Sequence, residues 1–139
     1  MTQQTKFLLD TNVVSEPRVR QMNSGVARFF STVPTGVICL SVLTLGELHK
    51  GELKRRSSDP EGARQLLTWL TGLEAMYAER ILPVDQRTAI LWGELSADRS
   101  RPVVDTLLAA TAIAHDLTLV TRNVKDFSGL GVKLLNPWS

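Results

Sequence analysis

The sequence of 139 residues lacks cysteine pairs, histidines at zinc-ligand spacing and apolar runs long enough to span a membrane. Its one cysteine, Cys39, lies in an apolar run and cannot form a disulfide within the chain, so we expect a buried thiol. The two histidines, His49 and His115, have no partners at zinc-ligand spacing, and we expect structural roles for both. No apolar run approaches the roughly 20 residues of a membrane span. No signal-peptide pattern opens the chain, so we expect a cytoplasmic protein without a membrane partner.

The composition is that of an ordinary globular protein, with 43% hydrophobic and 22% charged residues. We expect one domain over residues 1–139. The net charge of +2 permits nucleic-acid binding but does not establish it. Basic residues form two groups, which either bind nucleic acid or are solvated surface charges. The groups are Lys50, Lys54, Arg55 and Arg56, and Arg99, Arg101, Arg122 and Lys125.

Short apolar runs alternate with helical patterns along the chain. We predict strands over 7–9, 36–40, 81–84, 118–121 and 132–135. We predict helices over 26–33, 42–56, 60–77, 86–96 and 103–115, with Ser41, Asp59 and Asp85 as caps. This alternation predicts an α/β fold in which helices cover both faces of a parallel sheet. Functional groups in such folds gather at the carboxyl ends of the strands.

Polar side chains follow two of the predicted strands, and two acids lie on helices that can lean over the same edge of the sheet. These residues are Asp10, Asn12, Asn123 and Asp126 after the strands, and Glu47 and Asp105 on the helices. Each has an ordinary alternative: a turn or helix cap after the first strand, a favourable helix-start position for Asp105, a surface pair of Glu47 with Lys50 or Lys54, or a loop position for Asn123 and Asp126. Together, oxygen ligands from several segments favour a hard-cation site for Mg²⁺ or Mn²⁺. Such a site suits phosphodiester cleavage.

Four segments together resemble the motifs of PIN-domain toxins of the VapC type. The first is residues 7–16, with Asp10 in an Asp-Thr-Asn turn, and the second is residues 41–48, ending with Glu47. The third is residues 105–112, an aspartate heading an alanine-rich helix, and the fourth is residues 121–127. Residues 135–138 look like the end of the FitB-like branch. The resemblance spans the chain in the right order and spacing.

This resemblance implies a three-layer α/β/α sandwich with about five parallel strands, a Mg²⁺ or Mn²⁺ site and endoribonuclease activity. It implies Asp10, Glu47 and Asp105 as metal ligands, with Asn12 and Thr121 in supporting positions. It also implies a homodimer and a cognate antitoxin, VapB-like or Phd-like, through which alone the protein meets operator DNA. Arg122 and Lys125 are candidates for binding the RNA substrate.

The sequence departs from the family pattern at Asn123, where many relatives carry a fourth aspartate. An amide oxygen can bind a hard cation but brings no charge. Asp126 supplies the missing carboxylate only if the loop bends back. We therefore include Asn123 and Asp126 among the candidate catalytic residues and leave open which of them serves, and whether one metal ion or two are bound.

Three alternatives stay open at this stage. A PIN-like binding module without catalysis, acting through its antitoxin and DNA complex, would explain Asn123. A phosphotransfer receiver would need an acidic neighbour beside Asp10, which is absent. A phosphatase of the haloacid-dehalogenase type would need an acid at Asn12. The ribonuclease interpretation accounts for the largest number of these residues.

Overall fold

The computed structural model describes residues 4–139, in which strands and helices alternate. The strands are β1 Phe7–Leu9, β2 Ile38–Ser41, β3 Ile81–Leu82, β4 Thr118–Val120 and β5 Leu134–Leu135. The helices are α1 Thr11–Ser15, α2 Ser24–Thr32, α3 Val42–Arg55, α4 Pro60–Met76, α5 Gln86–Ser96 and α6 Val103–Ala114. Short 3₁₀ turns occupy Glu16–Arg18, Thr35–Val37, Ala78–Arg80 and Val124–Phe127.

The five strands form one sheet in the order β3-β2-β1-β4-β5, and all neighbours are parallel. The chain moves outward from β1 to β3 on one side, then crosses over to β4 and β5 on the other. The strand order therefore reverses beside β1. In sheets of this kind, ligands bind outside the carboxyl ends of the strands at that point of reversal.

Helices cover both faces of the sheet. Leu9 and Val120 point into a core completed by α2, α3 and α4. Their chain neighbours Leu8 and Leu119 point to the opposite face, into a core completed mainly by α6. Successive strand residues face opposite sides, so each strand contributes to both cores. The predicted three-layer α/β/α sandwich is confirmed.

Several element boundaries differ from the prediction. The predicted strand 36–40 is wrong at its start, because a 3₁₀ turn ends at Val37 and β2 begins at Ile38. The third strand stops at Leu82, since Pro83 has no N–H to donate to a neighbour. The last strand is likewise reduced to two residues. Helix α2 begins earlier than predicted, because the side chain of Asn23 accepts hydrogen bonds from Gly25 N and Val26 N.

Two residues assigned to structural roles have well-defined surroundings. Cys39 is only partly buried, and this burial raises the pKa of its thiol, which is unfavourable for a nucleophile. His49 on α3 contacts Glu74 on α4, with 2.5 Å between Nε2 and Oε1.

None of the helices within residues 4–139 has the length and apolar character that a membrane span requires.

Candidate active site

Asp10 occupies the carboxyl end of β1 and caps α1. Its backbone N–H donates to the carbonyl of Val120, with an N···O distance of 2.9 Å, which ties it to β4. Its Oδ1 accepts from the backbone N of Thr11 at 2.7 Å. Its residue surface is only 7% exposed. The carboxylate is thus fixed where the strand order reverses. Asp10 does cap a helix, as the sequence allowed, and it also lies near the other acids described below.

Two supporting residues hold the other oxygen of Asp10. Thr121, fully buried at the end of β4, donates from Oγ1 to Asp10 Oδ2 at 2.8 Å. Asn12 approaches the same oxygen with Nδ2 at 3.5 Å, and its Oδ1 accepts from the backbone N of Arg122 at 3.4 Å. The backbone N of Asn123 donates to Thr121 Oγ1 at 3.0 Å. The ends of β1 and β4 are therefore joined by side chains at the expected positions.

Glu47 reaches this edge from α3. Ser41 ends β2 and caps α3 by accepting from Leu43 N at 3.0 Å, so the helix starts at the same edge of the sheet. Glu47 lies in the second turn, exposed, and its Oε1 accepts from the hydroxyl of Thr11 at 2.6 Å. The surface pairing with Lys50 or Lys54 that the sequence allowed does not occur within residues 4–139. Sequence reasoning missed Thr11, although it stands between the two flagged residues of the Asp-Thr-Asn turn.

Asp105 and Asp126 complete a cluster of four carboxylates. Asp105 lies in the first turn of α6 and is partly buried. Asp126 lies in the 3₁₀ turn Val124–Phe127, which the buried ring of Phe127 anchors to the core. The charge of Asp126 contributes to the raised pKa of both Asp10 and Asp105, so the turn places Asp126 on the same side of the sheet as these acids. Asn123 is exposed just before the turn.

The pKa values of Asp10 and Asp105 are raised, in part by the charges of neighbouring carboxylates. The pKa of Asp10 is raised first by burial and then by the charges of Glu47 and Asp126, while hydrogen bonds from Thr121 and Thr11 partly offset the rise. The pKa of Asp105 is raised first by burial and then by Asp10, Asp126 and Glu47. Each negative charge in the cluster is therefore unfavourable to its neighbours. A divalent cation relieves this repulsion.

The oxygen donors fit Mg²⁺ or Mn²⁺ in chemistry, although they do not form a closed cage. Within residues 4–139, no group of three Asp, Glu, His or Cys side chains is arranged to hold a metal ion. Both oxygens of Asp10 and one of Glu47 are engaged in hydrogen bonds. Mg²⁺ in proteins is commonly held by one or two carboxylates, with water and substrate phosphate as its other ligands. The cluster suits that open mode of binding.

Basic side chains lie around the acids. Arg122 and Lys125 are exposed on the chain between Thr121 and Asp126. A groove of about 500 Å³ extends from Glu47 between α3 and the start of α6, and Lys50 and Lys54 line it. The sequence left open whether these two lysines bind nucleic acid or are solvated surface charges, and they were not named among the substrate-binding candidates. Their spacing of four residues, on the helix face that begins with Glu47, was the available signal.

The model of the PIN domain family matches residues 7–132. The chain belongs to the PIN-domain family. The resemblance to VapC-type PIN toxins seen in the four motifs is thereby confirmed. The matched residues include all four acids of the cluster, from Asp10 after β1 to Asp126 in the 3₁₀ turn.

Similar PIN-domain proteins cover the chain almost completely. It is 30% identical to "Toxin FitB" of Neisseria gonorrhoeae, over 95% of this chain and 98% of that protein. It is 31% identical to "VapC ribonuclease Y4jK" of Sinorhizobium fredii, over 95% of this chain and 97% of that protein. The solved structure of FitAB bound to an IR36 DNA fragment is 29% identical, with a TM-score of 0.78 over 96% of each chain.

Removal of the Thr121 hydroxyl tests how this PIN domain holds Asp10. Thr121→Val leaves Asp10 Oδ2 with only the longer contact from Asn12, and it leaves the backbone N–H of Asn123 without its partner. We expect the free energy of unfolding, measured with urea in EDTA, to fall by about 1–3 kcal/mol. We also expect an NMR titration to show a further rise in the Asp10 pKa, because a hydrogen bond that lowers it is lost.

Thr111→Val is the matched control, since Thr111 is also fully buried but its hydroxyl bonds to the helix carbonyl of Leu107. It should leave the Asp10 pKa unchanged. Equal titration curves for Thr121→Val and wild type would mean that this hydrogen bond does not govern Asp10.

Proposed function

We propose that this PIN domain, spanning residues 1–139, is a metal-dependent endoribonuclease and the toxin of a type II toxin–antitoxin pair. The observation that carries the proposal is the convergence of four carboxylates from separate segments at the point of strand reversal. They are Asp10, Glu47, Asp105 and Asp126, and the charges of neighbouring acids help to raise the pKa of Asp10 and of Asp105. A cluster of this kind is unfavourable for stability, which argues that it is kept for function.

Asp10, Glu47 and Asp105 are the proposed ligands of Mg²⁺ or Mn²⁺. When bound, the ion would supply a Lewis acid for the scissile phosphate and a more acidic water for its hydrolysis. Asp126 and Asn123 are proposed to take part at the side of β4. Asn12 and Thr121 keep the Asp10 carboxylate in one orientation through the bonds already described.

The basic residues around the cluster are proposed to hold the RNA backbone. The acids by themselves repel a phosphate strand, so cations at the rim must offset that charge. Arg122 and Lys125 lie on the β4 side of the acids. Lys50 and Lys54 line the groove on the α3 side. An RNA strand that crosses between these two pairs would pass over Asp10 and Glu47.

The proposed partners follow from the relatives. FitB is named a toxin, and FitAB has been solved on DNA, as has VapBC2 of Rickettsia felis on a fragment of its promoter. We propose that a cognate antitoxin, VapB-like or Phd-like, binds this chain and that operator DNA is reached only through it. We also propose that the chain is a homodimer and acts in the cytoplasm.

Incubation of the purified protein, free of antitoxin, with total bacterial RNA tests the proposed reaction. Parallel samples contain Mg²⁺, Mn²⁺ or EDTA. We expect discrete fragments with either metal and none with EDTA, and sequencing of the fragment ends identifies the cut sites. Intact RNA under every condition, from protein shown to be folded by circular dichroism, would favour the alternative of a binding module without catalysis.

Restoring an aspartate at position 123 tests the β4 side of the site. We expect Asn123→Asp to tighten Mn²⁺ binding, because the new carboxylate adds charge beside Asp126 and Asp10. Calorimetric titration measures the affinity, with Gln65→Glu on α4 as a control for an added charge on an exposed residue. Unchanged or weaker binding by Asn123→Asp would place residue 123 outside the metal site.

A further inference from the structure

The segment of residues 136–139 folds back onto the start of α2. Asn23, the cap of α2, accepts a hydrogen bond from Ser139 N at 3.2 Å and donates from Nδ2 to the carbonyl of Ser139 at 3.1 Å. The hydroxyls of Ser24 and Ser139 lie 2.9 Å apart. The segment thus has a defined place against the helix, fixed by polar contacts across more than a hundred residues of sequence.

Gly25 permits this contact. A Cβ at position 25 would collide with the carbonyl oxygen of Pro137 and crowd the backbone N of Ser139. Residues 136–138 form a turn in which the backbone N–H of Trp138 donates to Asn136 Oδ1 at 3.0 Å. The indole of Trp138 packs against the edge of the core on the α2 side of the sheet. Its ring is therefore held in one place.

Arg122 lies over this ring, with 5.2 Å between its guanidinium carbon and the ring centre. The backbone of Arg122 is part of the site, since its N–H donates to Asn12. Yet none of the ion pairs among residues 4–139 includes Arg122. The face of the Trp138 ring, and not an ion pair, therefore holds this cation.

We propose that Trp138 is a positioning residue for RNA binding, which keeps the Arg122 guanidinium at the rim of the acid cluster and available to a phosphate of the RNA strand. The inference rests on the proposed ribonuclease function. A guanidinium stacked by its face keeps its N–H edges free for bidentate contact with phosphate. Without the ring, this flexible side chain loses orientation and is free to pair with a neighbouring carboxylate such as Asp126.

Binding of a fluorescein-labelled single-stranded RNA, followed by anisotropy at several salt concentrations, tests the proposal. All variants carry Asp105→Asn so that the RNA stays intact, and Mg²⁺ is present throughout. We expect Trp138→Leu to weaken binding about two- to five-fold, as loss of an exposed cation–π contact implies. The slope of log affinity against log salt should fall by about 0.7, the value for one phosphate contact on a single strand.

Four further variants separate positioning from a purely structural role. Arg122→Gln should reduce the salt slope as much as Trp138→Leu does, and the double variant should bind like Arg122→Gln alone. Trp138→Phe should keep most of the wild-type slope because it retains an aromatic face. Lys133→Gln also removes one positive charge, but Lys133 pairs with Asp116 near the amino-terminal ends of β4 and β5, away from the acids. It should change neither the affinity for RNA nor the salt slope.

Gly25→Ala tests the path through the 136–139 segment while leaving Trp138 and Arg122 intact. It should reduce the salt slope as Trp138→Leu does, because the added methyl displaces Pro137. Gly72→Ala on α4, where a Cβ meets nothing within 4 Å, is its control. Urea unfolding of each variant reports any loss of stability separately from the salt slope.

The outcomes are distinct. Losses from Trp138→Leu and Arg122→Gln that add up, or a Trp138→Leu loss with an unchanged salt slope, would overturn the positioning role and make the indole a base-stacking or packing group. RNA binding that does not depend on Arg122 would also overturn it, even if the wild-type protein cleaves RNA. If the Asp105→Asn parent does not bind RNA and the wild type does not cut it, the proposed function fails as well.

Discussion

Asp10→Asn is expected to lower the rate of RNA cleavage by at least about a hundredfold, because it removes the most buried charge of the proposed metal site. The substitution keeps the shape of the side chain. Asparagine also caps a helix well, so α1 should form as before. The rate constant is measured in Mg²⁺ on one labelled RNA identified from the total-RNA digest.

Asp116→Asn is the matched control for this substitution. The Asp116 side chain is 76% exposed and pairs with Lys133, close to the amino-terminal end of β4 and away from the acids. Its backbone φ of 53° lies in the left-handed region, which asparagine tolerates well. We expect a wild-type rate for this control. A rate for Asp10→Asn within a few-fold of wild type would remove Asp10 from the catalytic machinery.

Asp105→Asn is expected to make the metal-free protein more stable while it abolishes cleavage. The raised pKa means that the folded state holds the proton of Asp105 more tightly than the unfolded chain does. Its ionised carboxylate therefore costs stability at neutral pH, where burial and repulsion outweigh the favourable position in the first turn of α6. Because Asp105 is only partly buried, solvent screens much of the repulsion between its charge and the other acids. We therefore expect a rise in Tm of only about 2–4 °C at pH 7 in EDTA.

The sign of this effect is tested by its pH dependence. Stability linked to a raised carboxylate pKa is fully present below the ordinary value of 3.8 and is lost as the pH rises through the folded-state pKa. The Tm difference between Asp105→Asn and wild type should therefore vanish in acid and be largest near neutrality. Mg²⁺ should raise the Tm of wild type more than that of Asp105→Asn. A lower Tm for Asp105→Asn at pH 7 in EDTA would contradict the account of a repulsive cluster.

Much of this site follows from the sequence because parallel strands share one carboxyl edge. Asp10 directly follows the predicted strand 7–9, and Thr121 is the last residue of the predicted strand 118–121. Glu47 is placed by a helix whose cap, Ser41, is the last residue of its strand. Strand ends and helix caps are local signals, and they locate side chains that are distant in sequence.

Other features depend on contacts that no local pattern specifies. The bond from Thr11 to Glu47 and the stacking of Arg122 on Trp138 depend on how helices and loops pack on the sheet. The return of Asp126 depends on a 3₁₀ turn anchored by Phe127, whose burial is a tertiary effect. The predicted strand 132–135 began too early for the same reason, since pairing with β4 begins only at Leu134.

Crystals of the protein soaked in Mn²⁺ and measured for anomalous scattering test the central claim most directly, namely that these carboxylates form one divalent-metal site. We expect an anomalous peak at the carboxyl edge of the sheet. It should lie about 2.0–2.3 Å from an oxygen of Asp10, Glu47 or Asp105, and it should disappear in Asp105→Asn. A peak elsewhere on the protein, or none beside these acids at saturating Mn²⁺, would contradict it.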